Sequence, residues 1–197
     1  IPITPVLDWS AWNVHNDPVT EQTTAPGTGG DVTGGLAKAV EMCNNNGHCR
    51  KFDAGTMCPS YRVTRDEQHL TRGRANTLRL ALSGQLGPDG FTGDAVREAM
   101  ELCVSCKGCK RDCPTGVDMA RMKIEWLAHD RQRHGHTLKD RLVGQLPDYA
   151  AWASRFPFLA NLRETLPGAR ALTEKWLGLS AKRALPQIGR ASCRERV

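Results

Sequence analysis

Apolar residues recur at three- and four-residue intervals in several short stretches, and polar turns rich in glycine and proline separate these stretches. Such spacing is typical of amphipathic helices, whereas the strict alternation of a half-buried strand is not found. Helices are therefore predicted over 36–42, 65–82, 95–102, from 118 to about 134, 138–146, 149–156 and 169–179. The pattern predicts a mainly α protein.

Two aspartates mark expected helix starts, because an aspartate side chain can accept hydrogen bonds from the free amides of a first helical turn. Asp94 is expected to cap 95–102, and Asp118 is expected to cap the strongest amphipathic helix. The expected apolar face of that helix comprises Met119, Met122, Ile124, Trp126 and Leu127. Three histidines near its polar end, His129, His134 and His136, are expected at the surface because no cysteine lies at ligand spacing from them.

Both ends of the chain lack helical patterning. Residues 1–35 are rich in Pro, Thr and Gly, with Trp9 and Trp12 as large aromatic anchors, which is typical of an extended connector. The opening has no initiator Met, so we expect the chain to begin within a longer protein. The final segment 187–197 resembles read-through from a cloning junction, and its Cys193 is therefore left out of the site.

Composition narrows the class of protein. No apolar run approaches the roughly 20 residues of a membrane helix, and no signal pattern opens the chain. A soluble, cytoplasmic protein without a transmembrane segment is expected. The formal charge is +6, and three arginines and one glutamate of the final segment account for two of these charges, which leaves +4. So modest a basic excess does not require nucleic acid as a partner.

The cysteines carry the sharpest signal. Cys103, Cys106, Cys109 and Cys113 form a C-x2-C-x2-C-x3-C run followed by Pro114. Neighbours this close rarely pair in disulfides, and without a secretion signal metal binding is favoured. Three thiolates at three-residue intervals can surround one [4Fe–4S] cluster, as in bacterial ferredoxins, where the fourth Cys commonly serves another cluster. A zinc site would normally use two separated C-x2-C pairs.

An earlier cysteine group repeats this skeleton with changes. Cys43 and Cys49 flank Asn46, which stands where a second thiolate would stand, and Cys58-Pro59 follows after a longer gap. Two arrangements remain open. In crossed wiring, Cys58 completes the site of Cys103, Cys106 and Cys109, and Cys113 joins Cys43 and Cys49 in an incomplete second site. In local wiring, Cys113 is itself the fourth ligand of the first cluster.

These motifs together resemble a known family. The segments Gly47-His-Cys-Arg-Lys51, Gly55-Thr-Met-Cys-Pro-Ser-Tyr61 and Thr71-Arg-Gly-Arg-Ala75, with the run from Cys103 to Asp118, look like the C-terminal iron–sulfur region of FAD-linked 2-hydroxyacid dehydrogenases, the D-2-hydroxyglutarate, D-lactate and glycolate oxidase types. The resemblance covers about residues 36–130. Together with the patterns at the two ends of the chain, it implies a connector over 1–35, a helical ferredoxin-type domain over 36–130, a helical extension over 131–186 and a non-native or disordered tail over 187–197.

The resemblance also implies a function. A flavin domain upstream would hold FAD and oxidise a 2-hydroxyacid, and this chain would relay electrons from the reduced flavin to a quinone, a cytochrome or another iron–sulfur protein. Membrane association would then come through a partner, and the chain alone would not be catalytic. Two alternatives remain: an iron–sulfur subunit of a succinate dehydrogenase or heterodisulfide reductase type of complex, and a zinc-stabilised interaction module.

Basic residues crowd the cysteines in sequence. A cluster held by four thiolates is an anion, and adjacent positive charge eases its reduction. We single out Arg72 and Arg74 as candidates for facing the cluster or a docking partner. The basic residues near the cysteines are Arg50, Lys51, Arg62, Arg65, Arg72, Arg74, Lys107, Lys110 and Arg111.

Overall fold

The computed structural model describes residues 3–12, 33–52, 55, 57–185 and 187. Most of the expected connector and nearly all of the expected tail, Cys193 included, lie outside the described residues. Within the described part of the chain all regular structure is helical and no strand occurs, which confirms the mainly α prediction. The chain divides into two compact units, Ile1–His134 and Gly135–Val197.

The first unit holds the cysteine groups. Its α-helices are α1 (Leu36–Glu41), α2 (Pro59–Thr64), α3 (Thr71–Leu82), α4 (Asp94–Glu101), α5 (Gly108–Asp112) and α6 (Met119–His134). A single 3-10 turn at Ser10–Trp12 precedes them, and further 3-10 turns at His48–Arg50, Glu67–His69 and Gly90–Thr92 lie between them.

Helix α3 is central to the first unit and packs against α1 and α4. The core here is apolar and fully enclosed, since Leu70, Leu78, Val96 and Met100 are each at most 1% exposed. Burying one such side chain contributes about 1.5–3 kcal/mol. The thiols of Cys43, Cys49, Cys58 and Cys109 belong to the same buried cluster. The core therefore extends up to the cysteine loops.

Helix α4 begins one residue earlier than expected. Gly93 occupies the N-cap position, and Asp94 is already the first helical residue. The Asp94 carboxylate pairs with Arg97 at 3.1 Å instead of bonding to backbone amides. The predicted N-cap role of Asp94 is wrong, because a residue inside the first turn points its side chain along the helix surface.

Helix α6 begins as predicted, since Asp118 Oδ1 accepts a hydrogen bond from the Arg121 amide at 3.1 Å. Met119, Met122 and Trp126 are buried, as expected. Ile124, however, is 50% exposed. It lies two positions from both Met122 and Trp126, and residues two apart do not share a helix face.

The buried position next to Ile124 belongs to a carboxylate. Glu125 is fully buried and accepts hydrogen bonds from the amides of Val6 and Leu7 at 2.7 and 2.8 Å and from Trp9 Nε1 at 3.0 Å. Trp9 is 1% exposed. Residues 3–12, here called the N-terminal strap, are thus bonded to the middle of α6.

His129 corrects a second expectation about α6. The distance from His129 Nε2 to Glu125 Oε1 is 2.9 Å. The His129 ring also packs edge-on against Phe91, with 5.4 Å between the ring centroids. Its side chain is only 17% exposed, so it is not a surface residue. Burial alone would raise the pKa of Glu125, but the hydrogen bonds from Trp9, Val6, Leu7 and His129 outweigh it and hold the pKa below its usual value.

The second unit is a set of short helices. They are α7 (Leu138–Gly144), α8 (Leu146–Ala153), α9 (Pro157–Ala160), α10 (Leu162–Thr165) and α11 (Ala169–Leu177). Helix α7 opens with a reciprocal capping box between Thr137 and Asp140. Among the described residues, no helix is long and apolar enough to cross a membrane.

Candidate metal centre

The run from Cys103 to Cys113 leaves α4 and turns back on itself within a few residues. The Cys103 amide still donates to Met100 O at 3.0 Å, so the loop starts directly at the helix end. Ser105 and Lys107, on either side of Cys106, both adopt left-handed conformations with φ of 52° and 59°. Such conformations reverse the chain locally and cost about 1–2 kcal/mol each outside glycine. The backbone therefore bends so that successive cysteines face one side.

These turns open onto a cleft with an empty volume of about 330 Å³, part of it open to solvent. Four cysteines line it: Cys58, Cys103, Cys106 and Cys109. Cys58 and Cys109 are buried, Cys103 is half-buried and Cys106 is exposed. The cleft thus joins three thiols of the second cysteine group to one thiol of the first.

Two features of the chain bring Cys58 to this place. Cys58 itself has a left-handed backbone, with φ 50° and ψ 68°, and Pro59 starts α2 immediately after it. Its Sγ accepts a hydrogen bond from the Thr71 amide at 3.0 Å and lies 3.0 Å from the Thr71 hydroxyl. The thiol is thereby held against the first turn of α3.

Burial governs the protonation of the enclosed thiols. It raises the pKa of Cys58, against the opposing hydrogen bonds from Thr71 and the charge of Arg74. It also raises the pKa of Cys109, although the amides of Met119 and Ala120 at the start of α6 oppose it. These thiols carry their protons at neutral pH, and binding of a metal would release them.

Cys113 has different surroundings and is not among the described residues that line the cleft. Its Sγ lies 3.2 Å from the Thr115 hydroxyl. Burial alone would raise the pKa of Cys113, but hydrogen bonds from Thr115, Val117 and Gly116 outweigh it and lower the pKa. A half-buried sulfur surrounded by donors is suited to carry negative charge.

The other two cysteines of the first group are less exposed than Cys113. Cys43 and Cys49 are both buried, and Arg79 donates to the Cys43 carbonyl oxygen at 2.9 Å. Burial, with smaller contributions from the charges of Cys58 and Cys43, raises the pKa of Cys49 to about 11, although the Arg72 amide opposes it. Asn46 is exposed and uses its side chain locally, accepting from the His48 amide at 2.8 Å.

The donor set fits an iron–sulfur cluster better than a single ion. Among the described residues no three Cys, His, Asp or Glu side chains converge closely enough to hold one metal ion. A tetrahedral zinc needs such convergence, with each Zn–S bond near 2.3 Å. A cubane instead takes one thiolate at each of four separated irons, so thiols spread around a cleft can hold it.

Comparison with known proteins agrees with this fit. Residues 39–117 match the 4Fe-4S dicluster domain family. Over this stretch the chain is similar to 4Fe-4S dicluster domains. The match confirms the resemblance predicted from the cysteine motifs and the iron–sulfur cofactor that it implied.

Curated relatives point the same way as the domain. The chain is 29% identical to the D-2-hydroxyglutarate dehydrogenase of Escherichia coli strain K12, over 70% of this chain and 17% of that protein. It is 27% identical to the enzyme of the same name from Pantoea ananatis strain AJ13355, with the same coverage. It is also 26% identical to a probable glycolate oxidase iron–sulfur subunit of Bacillus subtilis strain 168, over 55% of this chain and 23% of that protein.

The chain thus spans less than a quarter of the length of these relatives. No solved structure matches it.

Basic residues around the dicluster domain divide into two groups. Arg50 and Arg72 both pair with Glu67, Lys110 pairs with Asp118 at 3.1 Å, and Arg111 pairs with Asp112 at 3.1 Å. Each of these basic side chains therefore has a carboxylate partner, and Arg50 and Arg72 share one. Arg74 differs, because it is 2% exposed and lines the cleft of the four cysteines.

Sequence reasoning missed two residues of this domain. Thr71, which bonds to Cys58, lies in the family-like segment from Thr71 to Ala75, but nothing in the sequence indicated its contact with Cys58. Lys123 donates to the carbonyl oxygens of Met100, at 3.0 Å, and of Cys103, and so secures the loop that carries the first cysteine of the run. The sequence did offer one indication of this role: Lys123 is a charged residue between two apolar positions, Met122 and Ile124, of an amphipathic helix.

Proposed function

We propose that this chain is the electron-transfer module of a larger oxidoreductase and that Cys58, Cys103, Cys106 and Cys109 ligate a [4Fe–4S] cluster. The observation that carries the proposal is that Cys58, from the first cysteine group, lines the same cleft as three cysteines of the second group. This placement favours crossed over local wiring. When bound, the cluster supplies reversible one-electron chemistry.

The chain's own residues would prepare the cleft for an anionic group. Thr71 and the first amides of α6 donate towards the sulfurs of Cys58 and Cys109. Donors to ligating sulfurs favour the negatively charged state of a cluster. The buried thiols lie on the protein side, while exposed Cys106 lies on the solvent side. Electrons would enter or leave most readily past Cys106, where the least protein separates the cleft from a partner.

Crossed wiring leaves Cys113 to a second site with Cys43 and Cys49. Burial of Cys43 and Cys49 and the donors around Cys113 support this assignment. Asn46 occupies the position of a fourth thiolate but is exposed and bonded to its neighbours. The second site would therefore have three sulfur ligands.

The larger protein would be an FAD-dependent 2-hydroxyacid dehydrogenase. The names of the relatives and the small fraction of their length that this chain covers support this context. A flavin domain upstream would oxidise the substrate, and the module would pass electrons singly to a quinone, a cytochrome or another iron–sulfur protein. The chain by itself would bind no substrate.

Anaerobic reconstitution tests the redox assignment directly. The protein should take up at least about four irons with matching sulfide and show a broad brown absorbance that dithionite bleaches. Parallel loading with zinc provides the comparison. A colourless protein that binds one zinc tightly and rejects iron would overturn the proposal in favour of a zinc-stabilised module.

A further inference from the structure

We propose that Arg74 is a positioning and charge-compensating residue of the four-cysteine cleft, and that its guanidinium raises the reduction potential of the cluster bound there. The inference rests on the proposed function, since it assumes a cluster on Cys58, Cys103, Cys106 and Cys109. It assigns to the buried Arg74 a role that Lys107, which also lines the cleft but is exposed to solvent, does not share.

The guanidinium of Arg74 is fixed by neutral groups. Its Nε donates to the Ala99 carbonyl oxygen at 2.7 Å, and its Nη2 donates to Ser60 Oγ at 2.9 Å. Ser60 in turn donates to the His69 carbonyl oxygen at 2.6 Å. These contacts connect α3, α4 and α2 through one side chain. They hold the planar cation in a single orientation at the cleft wall.

The positive charge itself has no carboxylate within ion-pair distance among the described residues. An arginine stays protonated under all ordinary conditions, so burial cannot remove its charge. A buried cation without a counter-charge is strongly unfavourable. Arg74 is 2% exposed and lines the cleft together with the four cysteines. The anion that offsets it is therefore expected inside that cleft.

A thiolate-bound cluster supplies that anion. Its net charge is negative, and it becomes one unit more negative when it gains an electron. A fixed cation in a poorly solvated site stabilises the reduced form more than the oxidised form, because the attraction grows with the negative charge. Arg74 thus favours reduction of the cluster.

The chain offers a matched control on the same helix. Arg72 lies two residues before Arg74, and its charge is paired with Glu67. Replacing either arginine by glutamine removes one positive charge from the protein. Only the replacement at Arg74 removes a charge at the cleft wall, so a comparison separates local from overall electrostatics.

The experiment is a redox titration of reconstituted variants, followed by electron paramagnetic resonance, with iron and sulfide counts. Arg74→Gln should lower the equilibrium constant for one-electron reduction about tenfold, a fall of about 59 mV. Arg72→Gln should leave it unchanged within about twofold. Arg74→Lys, which keeps the charge but not the fork of donors, should retain most of the potential.

The outcomes distinguish failure of the role of Arg74 from failure of the proposed function. An Arg74→Gln protein with full iron content and the wild-type potential overturns the role of Arg74 while leaving the proposed function intact. A wild-type protein that forms no cluster overturns the proposed function itself.

If Arg74→Gln does not fold or takes up no iron, Arg74→Lys decides. Wild-type iron content and potential in that variant support a role of the charge. Loss of iron, or the same tenfold fall, shows that the fork of hydrogen bonds rather than the charge is required.

Discussion

The Sγ of Cys58 lies 3.0 Å from both the amide nitrogen and the hydroxyl oxygen of Thr71. This contact bonds the last cysteine of the first group to the first turn of α3, the central helix of the unit. Because Thr71 is only 2% exposed, the contact is shielded from water. Cys58 is therefore directed into the cleft of the second group by a fixed element rather than by a free loop.

The wiring of the cluster follows from this contact. Cys58→Ser should abolish the four-iron signal, since it removes a ligand in the cleft, whereas Cys113→Ser should largely spare it. Electron paramagnetic resonance of the reduced variants and iron counts measure the difference. Cys193→Ser, which removes a thiol outside both cysteine groups, is the control and should match the wild type.

Local wiring makes the opposite prediction. A four-iron signal that survives in Cys58→Ser and disappears in Cys113→Ser would identify Cys113 as the fourth ligand. Under crossed wiring, by contrast, a protein that carries a second cluster should lose part of its iron in Cys113→Ser while the signal of the first cluster remains.

At Gly73 the backbone of α3 lies so close to the preceding 3-10 turn that a side chain has no room. A Cβ at this position would lie 1.9 Å from the carbonyl oxygen of Glu67, in the 3-10 turn that precedes α3. Gly73→Ala must therefore push α3 away from that turn, and we expect a loss of about 1–3 kcal/mol in the free energy of unfolding. Urea unfolding measures this loss.

A helical glycine with free space provides the control for Gly73. Gly144 ends α7, and a Cβ there would meet nothing within 4 Å. Gly144→Ala should be neutral or slightly stabilising, because alanine favours helix more than glycine does. Equal destabilisation by both substitutions would show that the close contact at Gly73 has no energetic weight.

Glu125 should make attachment of the N-terminal strap depend on pH. Glu125→Gln weakens the acceptor for Val6, Leu7 and Trp9, and we expect it to lower the free energy of unfolding by about 1–3 kcal/mol at pH 7. The folded pKa of Glu125 is depressed, so its contribution is fully present above the ordinary pKa near 4.3 and is lost as the pH falls through the lower folded value.

The stability difference between wild type and Glu125→Gln should accordingly stay constant from about pH 7 to 5 and shrink below about pH 4. His129 contacts the same carboxylate, so the comparison is made in a His129→Gln background. A difference that persists unchanged in acid would contradict the role assigned to the charge.

The purified chain should not oxidise D-lactate, D-2-hydroxyglutarate or glycolate, because the proposed cluster exchanges electrons but provides no acceptor for a hydride. A dye-reduction assay with flavin-free protein measures this. The reconstituted chain should nevertheless exchange electrons with dithionite and ferricyanide, which shows that the cluster is competent. Substrate-dependent dye reduction without flavin would contradict the division of roles.

Several properties were predictable from sequence because they depend on local spacing. Helical periodicity predicted α4 and α6, and Asp118 marked the start of α6 because capping needs only neighbouring residues. The spacing of Cys103, Cys106 and Cys109 likewise predicted their common cleft, since only two residues lie between successive cysteines. The cofactor class followed from the same short run.

Tertiary structure decided what depends on contacts between distant segments. Spacing alone allowed either Cys58 or Cys113 beside the run, whereas in the structure Cys58 contacts Thr71 at the start of α3 and lines the cleft. Periodicity predicted Ile124 as buried, yet the strap covers the neighbouring face and Glu125 is enclosed there. The charge of Arg74 was visible in sequence, but its burial away from any described carboxylate was not, because burial is set by the helices that pack around it.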